Sequence, residues 1–118
     1  MTSSPIKKVA AIHDLSCIGR CSLTVILPIL SCLEIQACPL PTAVLSTHPG
    51  GFSDVVFHDC TPQIAPFAAH WRHESIEFDA IYSGFLASEQ QVGLVARFID
   101  DFSANHPLVL VDPVMGDD

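Results

Sequence analysis

The seven residues after the apolar run Leu108 to Val111 carry three aspartates, Asp112, Asp117 and Asp118. In an open α/β sheet, ligands gather beyond the carboxyl ends of the strands. Carboxylates at such a place commonly hold Mg²⁺, which in turn holds substrate phosphate. Asp112 and Asp117 stand five residues apart, so their side chains meet only if the loop curls, and Pro113 and Gly116 between them suit such a curl. Taken alone, Asp-Pro-x-x-Gly-Asp is also an ordinary solvated acidic loop. A second polar pair, Asp14 and Ser16, follows the apolar run Lys8 to His13, although a turn or N-cap suits the same two residue types. Gly50-Gly51 invites a phosphate-loop reading, yet no Gly-x-x-x-x-Gly-Lys-Ser/Thr pattern occurs, which excludes the P-loop class. Gly19 is a lone glycine after a strand and makes no dinucleotide fingerprint.

The thiols and imidazoles suggest less. Cys17, Cys21, Cys32, Cys38 and the run His58-Asp59-Cys60 lack the two closely paired knuckles of a zinc site. Cys21 and Cys32 fall at the start and end of an apolar helical stretch, where small thiols serve as packing. A Cys17 nucleophile with His13 or His48 as its base is conceivable chemistry, with nothing further in the sequence to support it.

Short strand-like runs alternate with longer helical ones and would position these groups. The order reads βαβ(α)βαβ. Lys8 to His13 is a buried first strand opening into a loop at Asp14 to Gly19. From about Arg20 to Leu33, Leu23, Ile26, Leu27 and Leu30 recur at helical spacing with apolar residues on other faces too, predicting a largely buried helix that Pro28 bends. Pro39 and Pro41 rule out helix over Ile35 to Ser46 and leave Thr42 to Leu45 as a short strand, followed by a turn at His48 to Phe52. Thr61 is the expected N-cap of a helix with Pro62 at its first position, a stripe of Ile64, Phe67, Ala68 and Trp71, and an end near His73. Asp79 to Ser83 predicts a third strand. Ser88 and Gln91 form a capping box for a helix whose apolar face is Val92, Val95, Ala96, Ile99 and Phe102. Asn105-His106-Pro107 ends that helix and delivers the last strand. Strands joined through helices give right-handed crossovers and a mostly parallel sheet. The loops at Asp14 to Gly19, Ser46 to Phe52, Gly84-Phe85 and Asp112 to Asp118 then converge on one edge.

Composition narrows the function classes. With 118 residues, 49% of them hydrophobic, the chain suffices for one modest core and a single domain. Thirteen acids against five bases give a formal charge of −8, which argues against a nucleic-acid or anionic-membrane surface. No apolar run approaches the ~20 residues of a bilayer span. Five cysteines, an odd number, and no charged-then-apolar leader at Met1 to Ile6 point to reduced thiols in the cytoplasm.

Four segments together carry a resemblance: Ile12-His13-Asp14-Leu15-Ser16-Cys17-Ile18-Gly19-Arg20-Cys21-Ser22, then Leu45-Ser46-Thr47-His48-Pro49-Gly50-Gly51, then Tyr82-Ser83-Gly84-Phe85, then Asp112-Pro113-Val114-Met115-Gly116-Asp117. In this order they resemble the successive motifs of the pyridoxal and pyridoxamine kinases of the ribokinase superfamily, over nearly the whole chain. Asp-Pro-Val-Met-Gly-Asp after a strand is the specific part. The resemblance implies a three-layer, Rossmann-like sheet with helices on both faces, of which residues 1–118 supply the amino-terminal half of a single, incomplete kinase domain. It implies ATP-dependent phosphorylation of the 5′-hydroxymethyl group of pyridoxal, pyridoxamine or pyridoxine, with Mg²⁺, in a homodimer. Asp14, Ser16, Thr47, His48 and Phe85 then fall where the family contacts the vitamer, and Asp112 and Asp117 where it organises metal and ATP phosphates. Each has a plainer use as well: His48 as a surface histidine, Phe85 as core packing. Pro49 stands where related enzymes often show Thr, which removes a hydroxyl contact. The family's catalytic aspartate belongs to a Gly-Thr-Gly-Asp-like motif that these 118 residues lack, so the resemblance puts the general base and the nucleotide-base loops downstream. The sister hydroxymethylpyrimidine kinases, and a non-catalytic vitamer-binding or assembly module, are the alternative expectations.

Overall fold

A computed structural model describes residues 6–113. Its elements run β1 (Lys8–Ser16), α1 (Leu23–Cys32), β2 (Gln36–Leu45), β3 (Phe57–Asp59), α2 (Thr61–His73), β4 (Ala80–Ser83), α3 (Glu89–Asp101) and β5 (Leu108–Val111). The strands form one open sheet in the order β3-β2-β1-β4-β5, with β1 parallel to both β2 and β4, β4 parallel to β5, and only β3 antiparallel. This is the mostly parallel α/β sheet that the alternation of strands and helices implies. From β1 the chain steps to β2 on one side, then returns past β1 to β4 and β5. The loops after β1 and β4 therefore lead to opposite faces, and a crevice opens between them at the carboxyl edge.

The core lies on one face. Ala10 and Ile12 of β1, Leu40 and Ile81 pack beneath Ile64 and Ala68 of α2 and Val95, Phe98 and Phe102 of α3, with Phe78 filling the base. Aromatic rings stack edge-on or tilted through this layer, Phe78 with Phe102 at 5.2 Å and Phe98 with Phe102 at 4.5 Å. Side chains alternate along a strand, so Val9, Ala11 and His13 face the other side, where α1 packs over β1 and β2.

Several sequence expectations need correction. β2 spans ten residues and includes both prolines. Gln36 donates its N–H to Lys7 of the chain entering β1, so by alternation the nitrogens of Pro39 and Pro41 turn away from β1. Among the described residues no strand lies against that side until β3 pairs with Ala43 to Leu45, so the missing N–H groups break no ladder bond there. β3 itself was not expected: three residues rich in polar side chains give no alternation to read. β1 runs three residues beyond His13, carrying Asp14 and Ser16 on the strand's end rather than in a loop, with an irregularity in its pairing to β2 between His13 and Leu15. α1 is less buried than its apolar sequence predicts: Leu23 is fully buried, while Ile29 and Leu33 are more than half exposed. No second helix covers it among the described residues. α2 begins at Thr61 with Cys60 as its cap residue, and the Asp59 carboxylate accepts from both the N–H and the hydroxyl of Thr61 at 3.1 and 2.6 Å. The buried face of α3 is Gln91, Val95 and Phe98, continued by its C-cap residue Phe102; Val92 points to solvent.

Candidate functional site

The parallel register brings the strand ends together. Leu45 of β2 accepts from the N–H of Cys17, Ile12 of β1 from that of Gly84, and Ser83 of β4 from that of Asp112. The loop after β2 folds back on the loop after β1, where Ile18 accepts from the N–H of His48. Gly19 is required at this contact: its φ is +127°, and a Cβ there would lie 2.8 Å from the Cβ of His48.

A cavity of about 400 Å³ opens at this edge, lined by Asp14, Ser22, Leu45, His48, Phe57 and Phe85 among others. That size suits a small-molecule ligand. Two walls and a bottom can be distinguished. Thr42, Ala43 and Leu45 of β2 form one apolar wall; Phe85 and Ala87, leading into α3, form the other. Asp14 enters from β1, and its carboxylate accepts from the Ser22 hydroxyl at 2.9 Å and, more weakly, from Ser16 at 3.5 Å. An ionised carboxylate accepts up to about four hydrogen bonds, so Asp14 keeps capacity for a ligand donor. His48 is exposed and its Nδ1 accepts from Gly50 N–H at 3.0 Å, which fixes the ring and forms a tight turn.

A second hollow of about 360 Å³ lies on the α1 side of the sheet and shares Cys21, Ser22 and Phe85 with the first; it adds His13, Arg20, Tyr82, Gly84 and Asp112. Phe85 is 49% exposed at the boundary between the two, so it is a rim aromatic and not a core residue. His13 is buried, its ring edge-on to Tyr82 with centroids 4.5 Å apart, and its Nε2 finds no partner among the described residues. Burial lowers its pKa from 6.5, opposed by the nearby carboxylates of Asp14 and Asp112.

The structure thus gathers Asp14, His48 and Phe85 around one cavity and Asp112 on the adjoining hollow. Ser16 and Thr47 line neither. Ser16 is fully buried behind Asp14, and the Thr47 hydroxyl is buried without a partner among the described residues. Asp117 lies outside the described residues. Among those described, no three His, Cys, Asp or Glu side chains converge as a metal site. Asp112, exposed at the end of β5, offers a single carboxylate, which fits Mg²⁺ only in the manner of a cation carried largely by phosphates and water. The sequence suggests His13 only as a conceivable base for Cys17, and it gives no signal for Ser22 or Gln91 as site residues. The first two belong to the quoted Ile12 to Ser22 run; Gln91 was read solely as a helix cap.

No family model matches the chain, and no curated protein does. Solved structures do. A “putative phosphomethylpyrimidine kinase” from Bacteroides thetaiotaomicron is 47% identical, with a TM-score of 0.92 over 100% of this chain and 41% of that one. Its orthorhombic form with pyridoxal gives 47% identity and 0.90 over 97% and 40%. Pyridoxal kinase from Lactobacillus plantarum is 29% identical, TM-score 0.87, over 96% and 40%. At 19% identity, pyridoxal kinase from Leishmania donovani in complex with ADP and pyridoxamine shares the fold, with a TM-score of 0.81 over 95% and 41%. The chain spans about two-fifths of the length of the structures it matches. Its neighbours are pyridoxal kinases and a phosphomethylpyrimidine kinase, and it has their ribokinase-like kinase fold.

Proposed function

We propose that this chain supplies the amino-terminal half of a single kinase domain that phosphorylates the 5′-hydroxymethyl group of pyridoxal, pyridoxamine or pyridoxine with ATP. The observation that carries the reading is the 47% identity, over nearly the whole chain, to a protein crystallised with pyridoxal. A cavity of about 400 Å³ at the carboxyl edge of the sheet, large enough for such a ring, supports it.

In this reading the vitamer ring lies in the cavity with Phe85 against it, and Asp14, oriented by Ser22, accepts a hydrogen bond from a polar ring substituent. His48 lines the same cavity, and the buried Ser16 hydroxyl donates weakly to Asp14, while Thr47 stands next to His48 in the chain. Asp112, with Asp117, would hold Mg²⁺, which neutralises charge on the ATP phosphates. The group that takes the hydroxyl proton belongs to the remainder of the protein. The charge-free outer side of α1, with Ile29 and Leu33 exposed, supports a homodimer. Five free cysteines fit a cytoplasmic setting.

The Bacteroides relative is called a “putative phosphomethylpyrimidine kinase”, and the pyrimidine in that name favours a second reading for this chain, a hydroxymethylpyrimidine kinase of the same superfamily. The complete protein, assayed for ADP release with ATP, Mg²⁺ and each acceptor in turn, separates these. Turnover with a B6 vitamer at higher kcat/KM than with hydroxymethylpyrimidine is expected; the reverse order selects the second reading. Tight pyridoxal binding with no ADP release would leave a vitamer-binding module without catalysis.

A further inference from the structure

Gln91 is fully buried near the start of α3, where a capping-box glutamine would return its side chain to the N–H of the cap residue Ser88. It does something else. Its Oε1 accepts from the N–H of Ala87, one residue earlier, at 2.8 Å. Its Nε2 faces three acceptors: the carbonyl of Thr42 at 3.0 Å, the Thr61 hydroxyl at 3.0 Å and Asp59 Oδ1 at 3.3 Å. Two protons shared among three acceptors, on a side chain with no exposed surface, leave little freedom to rotate.

The two ends of this amide lie behind opposite walls of the cavity. Thr42 belongs to the β2 wall, at the irregular stretch where β2 and β1 fall out of register. Ala87 closes the segment that begins at Gly84 and carries Phe85. Asp59 extends the tie to β3, whose Phe57 also lines the cavity. No other side chain among the described residues hydrogen-bonds to both walls.

We infer that Gln91 is a positioning residue that sets the width of the cavity, and so which planar ring fits between Phe85 and the β2 wall. This rests on the reading that the cavity receives the vitamer. Removing the amide frees the Phe85 segment from β2, and leaves the Thr42 carbonyl without its side-chain donor.

The test uses the complete protein with Gln91→Leu and Gln91→Glu. Pyridoxal binding is measured by equilibrium dialysis, and KM and kcat are normalised to folded protein. Gln91→Leu is expected to raise both Kd and KM for pyridoxal roughly tenfold, the scale of one lost hydrogen bond, with KM for ATP within about twofold of wild type. In Gln91→Glu the protonated acid still donates to Thr42 and accepts from Ala87. The ionised form faces the Thr42 carbonyl and Asp59, the charged group within hydrogen-bond distance, so its pyridoxal KM should climb with pH relative to wild type. If Gln91→Leu fails to fold, this pH comparison decides. Unchanged Kd and KM with only a smaller folded fraction would make Gln91 a purely structural residue and overturn the inference. Wild-type protein that binds no pyridoxal would instead overturn the functional reading beneath it.

Discussion

The tightest packing at the site is between Gly84 and His13, and it makes a sharp prediction for Gly84→Ala. A Cβ on Gly84 would lie 2.2 Å from His13 Nδ1 and 2.5 Å from Cε1. Unstrained non-bonded heavy atoms stay about 3.5 Å apart, so the ring or the backbone must retreat by about 1 Å. The ring is 4% exposed and lies edge-on against Tyr82, so it can yield only toward the hollow it lines, at the cost of that contact. The Gly84 backbone is likewise tied, its N–H donating to Ile12 at 3.0 Å. Overpacking of this kind costs ~1–3 kcal/mol. Replacing glycine where no positive φ is required returns ~0.4–1 kcal/mol by restricting the unfolded chain, for a net loss of about 1–2 kcal/mol. Urea unfolding of the complete protein measures it. The decisive experiment is a double-mutant cycle with His13→Ala, which removes the obstructing ring. In that background Gly84→Ala should become neutral or slightly stabilising, a coupling of about 2 kcal/mol. Equal cost in both backgrounds would refute the steric argument and point to a backbone conformation that only glycine adopts.

Phe85→Ala should weaken pyridoxal binding by about tenfold, the loss of one aromatic face, while a half-exposed side chain leaves stability within about 0.5 kcal/mol; dialysis and urea unfolding check the two halves. Ser88→Ala should destabilise by ~1 kcal/mol, because the Ser88 hydroxyl accepts from Gln91 N–H at 3.2 Å as the N-cap of α3, and Ser88→Asp should restore most of it. His13 contributes a pH dependence of definite sign. Its folded pKa is depressed below 6.5 by burial, so the unfolded chain takes up the proton first. The stabilisation is present above pH 6.5 and is lost as pH falls through the folded value, with a slope of at most about 1.4 kcal/mol per pH unit. Unfolding free energies measured across that range should lose this component in His13→Gln.

Much of the architecture was legible because it depends on local signals. The apolar runs at Lys8, Asp79 and Leu108 are strands, the Ser88 cap starts α3, and right-handed crossovers suffice to bring the four loops to one edge. The errors share a cause: each element's outcome was decided by a distant neighbour. β2 tolerates two prolines because, among the described residues, no strand pairs with its outer side over that stretch, which its own sequence does not say. β3 exists because Ala43 to Leu45 present an edge to it. The apolar face of α3 is turned toward Phe98 by a core of aromatic rings supplied by Trp71 and Phe78.

Gln91 carries the same logic into the site. Its sequence context, three residues after a helix-capping serine, accounts fully for a glutamine at that position, and so conceals its use. The partners that hold it, Thr42, Asp59 and Thr61, lie 30 to 49 residues away. A local rule explained the residue type and thereby removed any reason to look for a second role. His13 is hidden in the same manner, as the last member of an apolar strand whose outward face becomes the back of a polar hollow only when Gly84 and Asp112 arrive from β4 and β5. In this fold the ligand-facing groups stand at strand ends, where chain order reveals them. The groups that set the cavity's width stand one layer behind, where a residue with an adequate local explanation is the one whose long-range contacts most need to be measured.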